Sequence, residues 1–169
     1  MSSTGGNDPT RCSRTAAVED THVSSPWQPW TALVGFALLV NFAWEMAQMP
    51  LFRMINPSGW AMLRECTQAT GGDAVLTLIA YGVAARCMRR PRWLLAPRPI
   101  EWATFLGVGV AATAGLEWWN VMVRHAWAYG AAMPTVAGIG LAPLMQWVLL
   151  PPLILWLARR HIETGRRRL

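Results

Sequence analysis

Residues 30–52, WTALVGFALLVNFAWEMAQMPLF, form an apolar run that contains one acidic side chain, Glu45. A helix of about 20 apolar residues spans the roughly 30 Å hydrocarbon core of a bilayer. The run therefore predicts a membrane-crossing helix. An ionisable side chain inside such a helix is costly and points to a function by default, so the surroundings of Glu45 are the first place to look for one.

The composition also indicates a membrane protein. Hydrophobic residues make up 53% of the chain and charged residues only 14%, and there are 11 tryptophans, a balance that favours lipid over water. The chain contains no lysine, which excludes Schiff-base and phosphate-loop lysine chemistry and fits a GC-rich bacterial genome. The net charge of +6 comes from arginines at the ends of apolar runs, so nucleic acid is not an expected partner.

Three further apolar runs follow the first. The predicted spans are about 30–50, 73–88, 101–123 and 138–158. Arginines are concentrated in residues 86–99 and 159–168 and are sparse in 51–72 and 124–137. By the positive-inside rule both termini and the 86–99 connection face the cytoplasm. The predicted fold is an all-α integral membrane bundle of four transmembrane helices, in the inner (plasma) membrane of a bacterium.

The predicted domain organisation is a disordered cytoplasmic tail, a four-helix transmembrane domain and a basic cytoplasmic tail, at residues 1–26, 27–160 and 161–169. The first tail is polar and lacks apolar periodicity, so burial cannot offset the entropy of ordering it. In the first outer connection, residues 57–72 predict a separate short interfacial helix. Ser58 is a good N-cap, and Gly71 and Gly72 are expected to end that helix.

Two predicted spans carry the same polar spacing of i, i+4 and i+7. The residues are Asn41, Glu45 and Gln48 in the first span and Thr113, Glu117 and Asn120 in the third. This spacing places each set on one face of its helix. Both spans run outward, so Glu45 and Glu117 lie at similar depths, about 8 Å below the outer end, and we expect them to face each other across a shared pocket.

The second and fourth spans contribute further polar groups. Asp73, Thr77 and Tyr81 follow one another at i, i+4 and i+8, although Asp73 after two glycines also fits a helix N-cap. Gln146 lies in a span with three prolines. Prolines free backbone carbonyls that are tolerated at membrane depth only toward protein or a wet cavity. The fourth span is therefore expected to form a wall of the pocket.

Several tryptophans flank these polar positions away from the span ends, where their faces suit a cation or a transient carbocation. The candidate catalytic acids are Glu45, Glu117 and Asp73. The candidate ligand-binding residues are Asn41, Trp44, Gln48, Thr77, Tyr81, Trp118, Asn120, Gln146 and Trp147.

The histidines do not support a haem or a multi-histidine metal centre. His125 follows the third span alone, and His22 and His161 are expected on the cytoplasmic side. Carboxylates with His125 could hold a hard cation, but the spacing is not diagnostic. We therefore assign no metal ligands, and the sequence identifies no cofactor.

Three functions fit this pattern. The first is an intramembrane enzyme or binding protein that acts on a membrane lipid or an apolar, isoprenoid-like small molecule by acid–base chemistry. The second is a proton-coupled carrier of a small cationic substrate. The third is a subunit or assembly factor of a membrane-protein complex, in which the buried acids only hold helices together. The long 51–72 connection resembles a lid and favours the first.

Overall fold

The computed structural model describes residues 28–53 and 58–167, and within them the chain is mainly helical. The four long helices are α1 (Gln28–Gln48), α2 (Gly59–Cys87), α3 (Pro99–Trp118) and α4 (Leu141–Arg167). Three segments are long and apolar enough to cross a membrane, namely Pro29–Leu51, Pro99–Val123 and Leu141–Gly165. The helical class is thus confirmed, with three candidate spans. The predicted tail at 1–26 lies outside the described residues.

The bundle is arranged so that each helix packs against two neighbours. Helices α1 and α3 both contact α2 on one side and α4 on the other. Small residues of α2, such as Ala80 and Ala84, are fully buried beside larger apolar side chains, including Leu33, Phe105 and Ile154. Because small and large side chains alternate in this way, the helices approach closely and leave a continuous core.

Helix α2 is one continuous element, so the prediction of a separate short helix within residues 57–72 was wrong. Ser58 does cap its start, since its Oγ accepts the amide of Ala61 at 3.2 Å. The helix then continues through Gly71 and Gly72 to Cys87. A glycine costs about 1 kcal/mol in a helix, but burial of residues on both sides of the pair outweighs this. Asp73 is consequently inside the helix and is not its N-cap.

Helix α4 also differs from its prediction at one end. The helix continues through residues 161–167, which the sequence predicts to be a basic tail. The side chain of Ile162 in this segment is fully buried. Ile162 extends the apolar face formed by Ile154 and Ala158. Arg159 and Arg160 are exposed, so their long side chains reach solvent while the opposite face of the helix stays packed.

One end of the bundle, formed by residues 86–101 and 159–163, is called the arginine-rich end. Tyr81 donates to the Pro91 carbonyl at 2.9 Å and stacks on Trp93 with ring centroids 5.0 Å apart. Glu101 is fully buried; it accepts Arg90 Nη1 at 2.5 Å and the Arg98 amide at 2.7 Å. Glu101 therefore holds the connection that precedes α3 in place.

The opposite end, called the site end, is closed by two connections that pair with each other. Helix α3 ends in a π-helical turn, Trp119–Val123, and a two-stranded hairpin, β1 (Thr135–Val136) and β2 (Ile139–Gly140), precedes α4. The Arg53 amide donates to the Ala128 carbonyl, and the Gly130 amide donates to the Leu51 carbonyl, both at 2.8 Å. This pairing brings Tyr129 over the end of the bundle.

Candidate functional site

A buried polar cluster joins α1, α2 and α4 at the site end. It consists of Asn41, Glu45, Gln48, Asp73 and Gln146, and we call it the amide–carboxyl cluster. Gln146 is its centre, since its Nε2 donates to Asn41 Oδ1 at 3.0 Å and to Asp73 Oδ2 at 2.7 Å. Gln48 Nε2 lies 3.4 Å from Gln146 Oε1. One side-chain amide thus links three helices, as the helical spacing of the α1 residues allows.

Glu45 and Asp73 form a carboxyl pair within the cluster. Their carboxyl groups are close enough to hydrogen-bond to each other, and Glu45 Oε1 also accepts Gln48 Nε2 at 2.9 Å. Only 8% of Glu45 is exposed. Two buried carboxyl groups this close together are a candidate pair for acid–base chemistry.

Glu117 is buried at the same end, but its direct partners belong to the α3–α4 connection. Its Oε2 accepts the Tyr129 hydroxyl at 2.6 Å and lies 3.4 Å from Trp127 Nε1. Glu117 is near enough to Glu45 for their charges to interact, yet the acid in contact with Glu45 is Asp73. The predicted pocket between Glu45 and Glu117 is thus arranged around a third acid.

Tyr129 and Trp127 were missed by the sequence analysis. They lie in a connection whose fold depends on backbone pairing with residues 51–53. No sequence pattern within the connection predicts that pairing. Burial, together with the hydrogen bond to Glu117, raises the pKa of the Tyr129 hydroxyl above its ordinary value. Tyr129 therefore remains a hydrogen-bond donor to Glu117 across the neutral range.

Two further residues on α2 accompany the carboxyl pair. Cys66 and Thr70 share the helical face of Asp73, and both are buried. Cys66 is near enough to Glu45 to feel its charge. Thr70 Oγ1 is the one buried side-chain polar atom without a hydrogen-bond partner among the described residues. Their spacing from Asp73 would have revealed them had α2 been recognised as continuous.

Four predicted site residues lie elsewhere. Tyr81 is two helical turns from Asp73 and bonds to Pro91 at the arginine-rich end. Trp118 is 51% exposed on the surface of the bundle. Asn120 donates to the carbonyl of Leu116 in its own helix at 2.8 Å.

The fourth, Trp147, is buried in the core against α3. Its ring fills the space left by the missing side chain of Gly109 and meets Phe105 edge-on, with centroids 6.1 Å apart. Thr77, by contrast, lies directly beside the cluster, because its hydroxyl donates to the Asp73 carbonyl at 2.8 Å. Thr77 thus supports the helix at Asp73 and does not contact the carboxyl pair through this bond.

A cavity of about 290 Å³, open to the surface of the bundle, adjoins the amide–carboxyl cluster. Its lining residues are Trp44, Ala47, Gln48, Leu51, Pro134, Leu141, Ala142 and Met145. The wall is apolar except at Gln48 and the indole nitrogen of Trp44, and Trp44 Nε1 donates to Gln48 Oε1 at 2.9 Å. Since Gln48 also bonds Glu45, one side chain separates the apolar cavity from the carboxyl pair. An apolar space next to convergent polar groups is the usual form of a small-molecule site.

Within residues 28–53 and 58–167, no three histidine, cysteine or acidic side chains are arranged to hold a metal ion. His125 is exposed, and its Nδ1 lies 3.0 Å from the Val121 carbonyl. No protein-family model matches the chain, and neither a curated protein nor a solved structure is significantly similar to it. Its function must therefore be argued from the site itself.

Proposed function

We propose that the chain is a bacterial inner-membrane protein whose four helices all cross the bilayer, with both termini in the cytoplasm. Three helices have the required length and hydropathy. Helix α2 has 29 residues and is about 43 Å long, which exceeds the roughly 30 Å of hydrocarbon. The arginine-rich end carries seven arginines against two glutamates, and such an excess favours the cytoplasmic side.

Its proposed activity is to bind an apolar, lipid-like or isoprenoid-like ligand and to exchange a proton with it. The observation that carries this proposal is the position of Gln48 between the apolar cavity and the Glu45–Asp73 pair. In this proposal Glu45 and Asp73 share one proton, and a ligand in the cavity places its polar head at Gln48, which bonds Glu45. A general acid–base catalyst must reach the transferred proton directly or through one water, so the head group is proposed to contact Glu45 next to Gln48.

The residues have distinct roles in this proposal. Glu45 and Asp73 hold and transfer the proton, and Gln48 and Trp44 contact the ligand. Gln146 positions Asp73 through its 2.7 Å hydrogen bond. When the protonated carboxyl gives its proton to the ligand, it becomes a carboxylate, and the hydrogen bonds from the Gln48 and Gln146 amides to the pair remain in place. Return of the proton restores the pair. Atoms and charge balance without any further reactant.

The two other functions have weaker support. A carrier needs access to the acids from both sides in turn, but the bundle between the cluster and the arginine-rich end is filled by fully buried side chains such as Tyr81, Trp93 and Phe105. An assembly subunit would leave polar groups for its partner. Here the polar face of α1 instead finds partners on α2 and α4 of the same chain.

The test is the identity of molecules that co-purify with the protein in mild detergent, measured by mass spectrometry. We expect an apolar ligand in the wild type and its loss from Glu45→Gln. Glu65→Gln is the matched control, because Glu65 is exposed and pairs with its neighbour Arg64. The wild type and this control should carry equal amounts.

A second variant guards against misfolding of Glu45→Gln. Ala47 is exposed and lines the cavity without joining the polar cluster, so Ala47→Trp fills the cavity and should also expel the ligand. Equal ligand in all four proteins, or ligand in none of them, would contradict the proposal.

A further inference from the structure

We infer that the head group of the ligand is a hydrogen-bond donor, an alcohol or an amine, and is neither a carboxylate nor a phosphate. This inference rests on the proposed function and adds the chemical class of the ligand. Two independent features carry it: the charges around the site, and the hydrogen-bonding capacity that the polar cluster leaves unused.

The charges near the cluster are acidic. Glu45, Asp73 and Glu117 interact electrostatically with one another. The arginines described at the site end are Arg53, Arg64 and Arg124, and all three are exposed. Arg64 pairs with Glu65, and Arg124 lies 3.3 Å from Asn120 Oδ1. Sites for phosphate and carboxylate normally supply an arginine, a lysine or a helix N-terminus, whereas this cluster presents carboxyl groups.

The donors of the cluster are already occupied. Both hydrogens of Gln146 Nε2 are directed to Asn41 and Asp73, and those of Gln48 Nε2 to Glu45 and Gln146. The Trp44 indole donates to Gln48. Each carboxyl group has about four lone-pair positions on its two oxygens. Unused hydrogen-bond acceptors therefore remain on Glu45 and Asp73. A ligand that donates a hydrogen bond finds free acceptors in the cluster, whereas a ligand that only accepts hydrogen bonds finds few free donors.

Thr70 supplies the remaining capacity. Its buried hydroxyl has no partner within the described residues, and it lies one turn from Asp73 on the same face of α2. A buried hydroxyl is seldom left unbonded. An alcohol both donates and accepts, so a ligand hydroxyl that reaches past Gln48 into the cluster can bond a carboxyl oxygen and the Thr70 hydroxyl together. An ammonium group satisfies the carboxyl side alone.

The experiment compares ligands that share one chain and differ in the head group. Radiolabelled dodecanol, dodecylamine, dodecanoate and dodecyl phosphate are equilibrated at neutral pH with the protein in phosphatidylcholine nanodiscs. Nanodiscs containing Ala47→Trp measure partition into lipid, which is subtracted. We expect the alcohol and the amine to bind at least about tenfold more tightly than the two anions. A tenfold difference in affinity corresponds to about 1.4 kcal/mol of binding free energy.

Thr70→Val tests the part assigned to the orphan hydroxyl, and Thr67→Val is its matched control. Thr67 is exposed and its hydroxyl donates to the Leu63 carbonyl of its own helix at 2.7 Å. Loss of Thr70 should weaken binding of dodecanol by several-fold and leave that of dodecylamine less affected, whereas the control should change neither. An unchanged affinity for dodecanol in Thr70→Val would remove Thr70 from the head-group site.

The outcomes separate this inference from the proposed function. If dodecanoate or dodecyl phosphate binds as tightly as dodecanol, the head-group inference is overturned, while binding of apolar ligands stands. If no compound binds above the level in Ala47→Trp nanodiscs, the proposed function itself fails.

Discussion

At the level of single residues, Gly109 determines how closely α3 approaches α4. A Cβ atom at this position would overlap the ring of Trp147, whereas a Cβ at Gly107 meets no atom within 4 Å. The two glycines lie on the same helix, two positions apart, and they face opposite surroundings. Gly109 is buried and Gly107 is exposed.

Gly109→Ala should destabilise the protein by about 1 to 3 kcal/mol, the usual cost of overpacking a core. Gly107→Ala should be neutral or stabilising by up to about 1 kcal/mol, because alanine favours the helix. The free energy of unfolding in mixed detergent micelles measures both. Equal effects of the two substitutions would show that Trp147 does not pack against Gly109.

The sequence predicted the residues of the cluster on α1 better than those on α3. Asn41, Glu45 and Gln48 share a face because of local helix geometry, and the structure places them together. Asn120 follows the same spacing but lies beyond Trp118, where the α-helix gives way to a π-helical turn. The wider turn changes the direction of side chains that follow it, so the regular spacing no longer applies there.

At the level of elements, the connection between α2 and α3 is held by the buried Glu101. Its carboxylate bonds Arg90 in that connection and the Arg98 amide at the start of α3. Arg159 and Glu163 provide a comparison, because they form an ion pair at 2.7 Å with both side chains more than 40% exposed. The two pairs differ mainly in burial.

Glu101→Gln should lower the free energy of unfolding by about 1.5 to 3 kcal/mol, the usual value for a hydrogen bond to a charged group. Glu163→Gln should change it by about 0.5 kcal/mol or less, since water screens an exposed pair. Denaturant titration of both variants checks the difference. If the two values agree, Glu101 does not hold the connection.

Helix boundaries were the least predictable feature at this level. The Gly71–Gly72 pair is a strong local stop signal, but tertiary packing on both sides of it carries α2 through. Ser58 was predictable because an N-cap depends only on the adjacent turn. The continuity of α2 depends on its packing against α1 and α3. The residues next to the glycines in the sequence carry no information about that packing.

For the whole molecule, the proposed orientation places the two ends of α2 on opposite sides of the membrane. Cys87 is exposed at the C-terminal end and Ser58 at the N-terminal end. In a chain with Cys12 and Cys66 replaced by serine, Cys87 should react with an impermeant maleimide only after the cells are opened. With Cys87 also replaced, Ser58→Cys should react in intact cells. Labelling of both positions from one side would contradict a crossing by α2.

The way in which α1 finds its partners has a consequence for biogenesis. Asn41 and Gln48 bond to Gln146, which is synthesised about a hundred residues later. An acidic residue raises the insertion free energy of an isolated span, by about 3 kcal/mol at the centre and by less nearer an end, where Glu45 lies. In the proposed topology, α1 therefore stays with the insertion machinery, or near the lipid headgroups, until α4 emerges to complete the cluster.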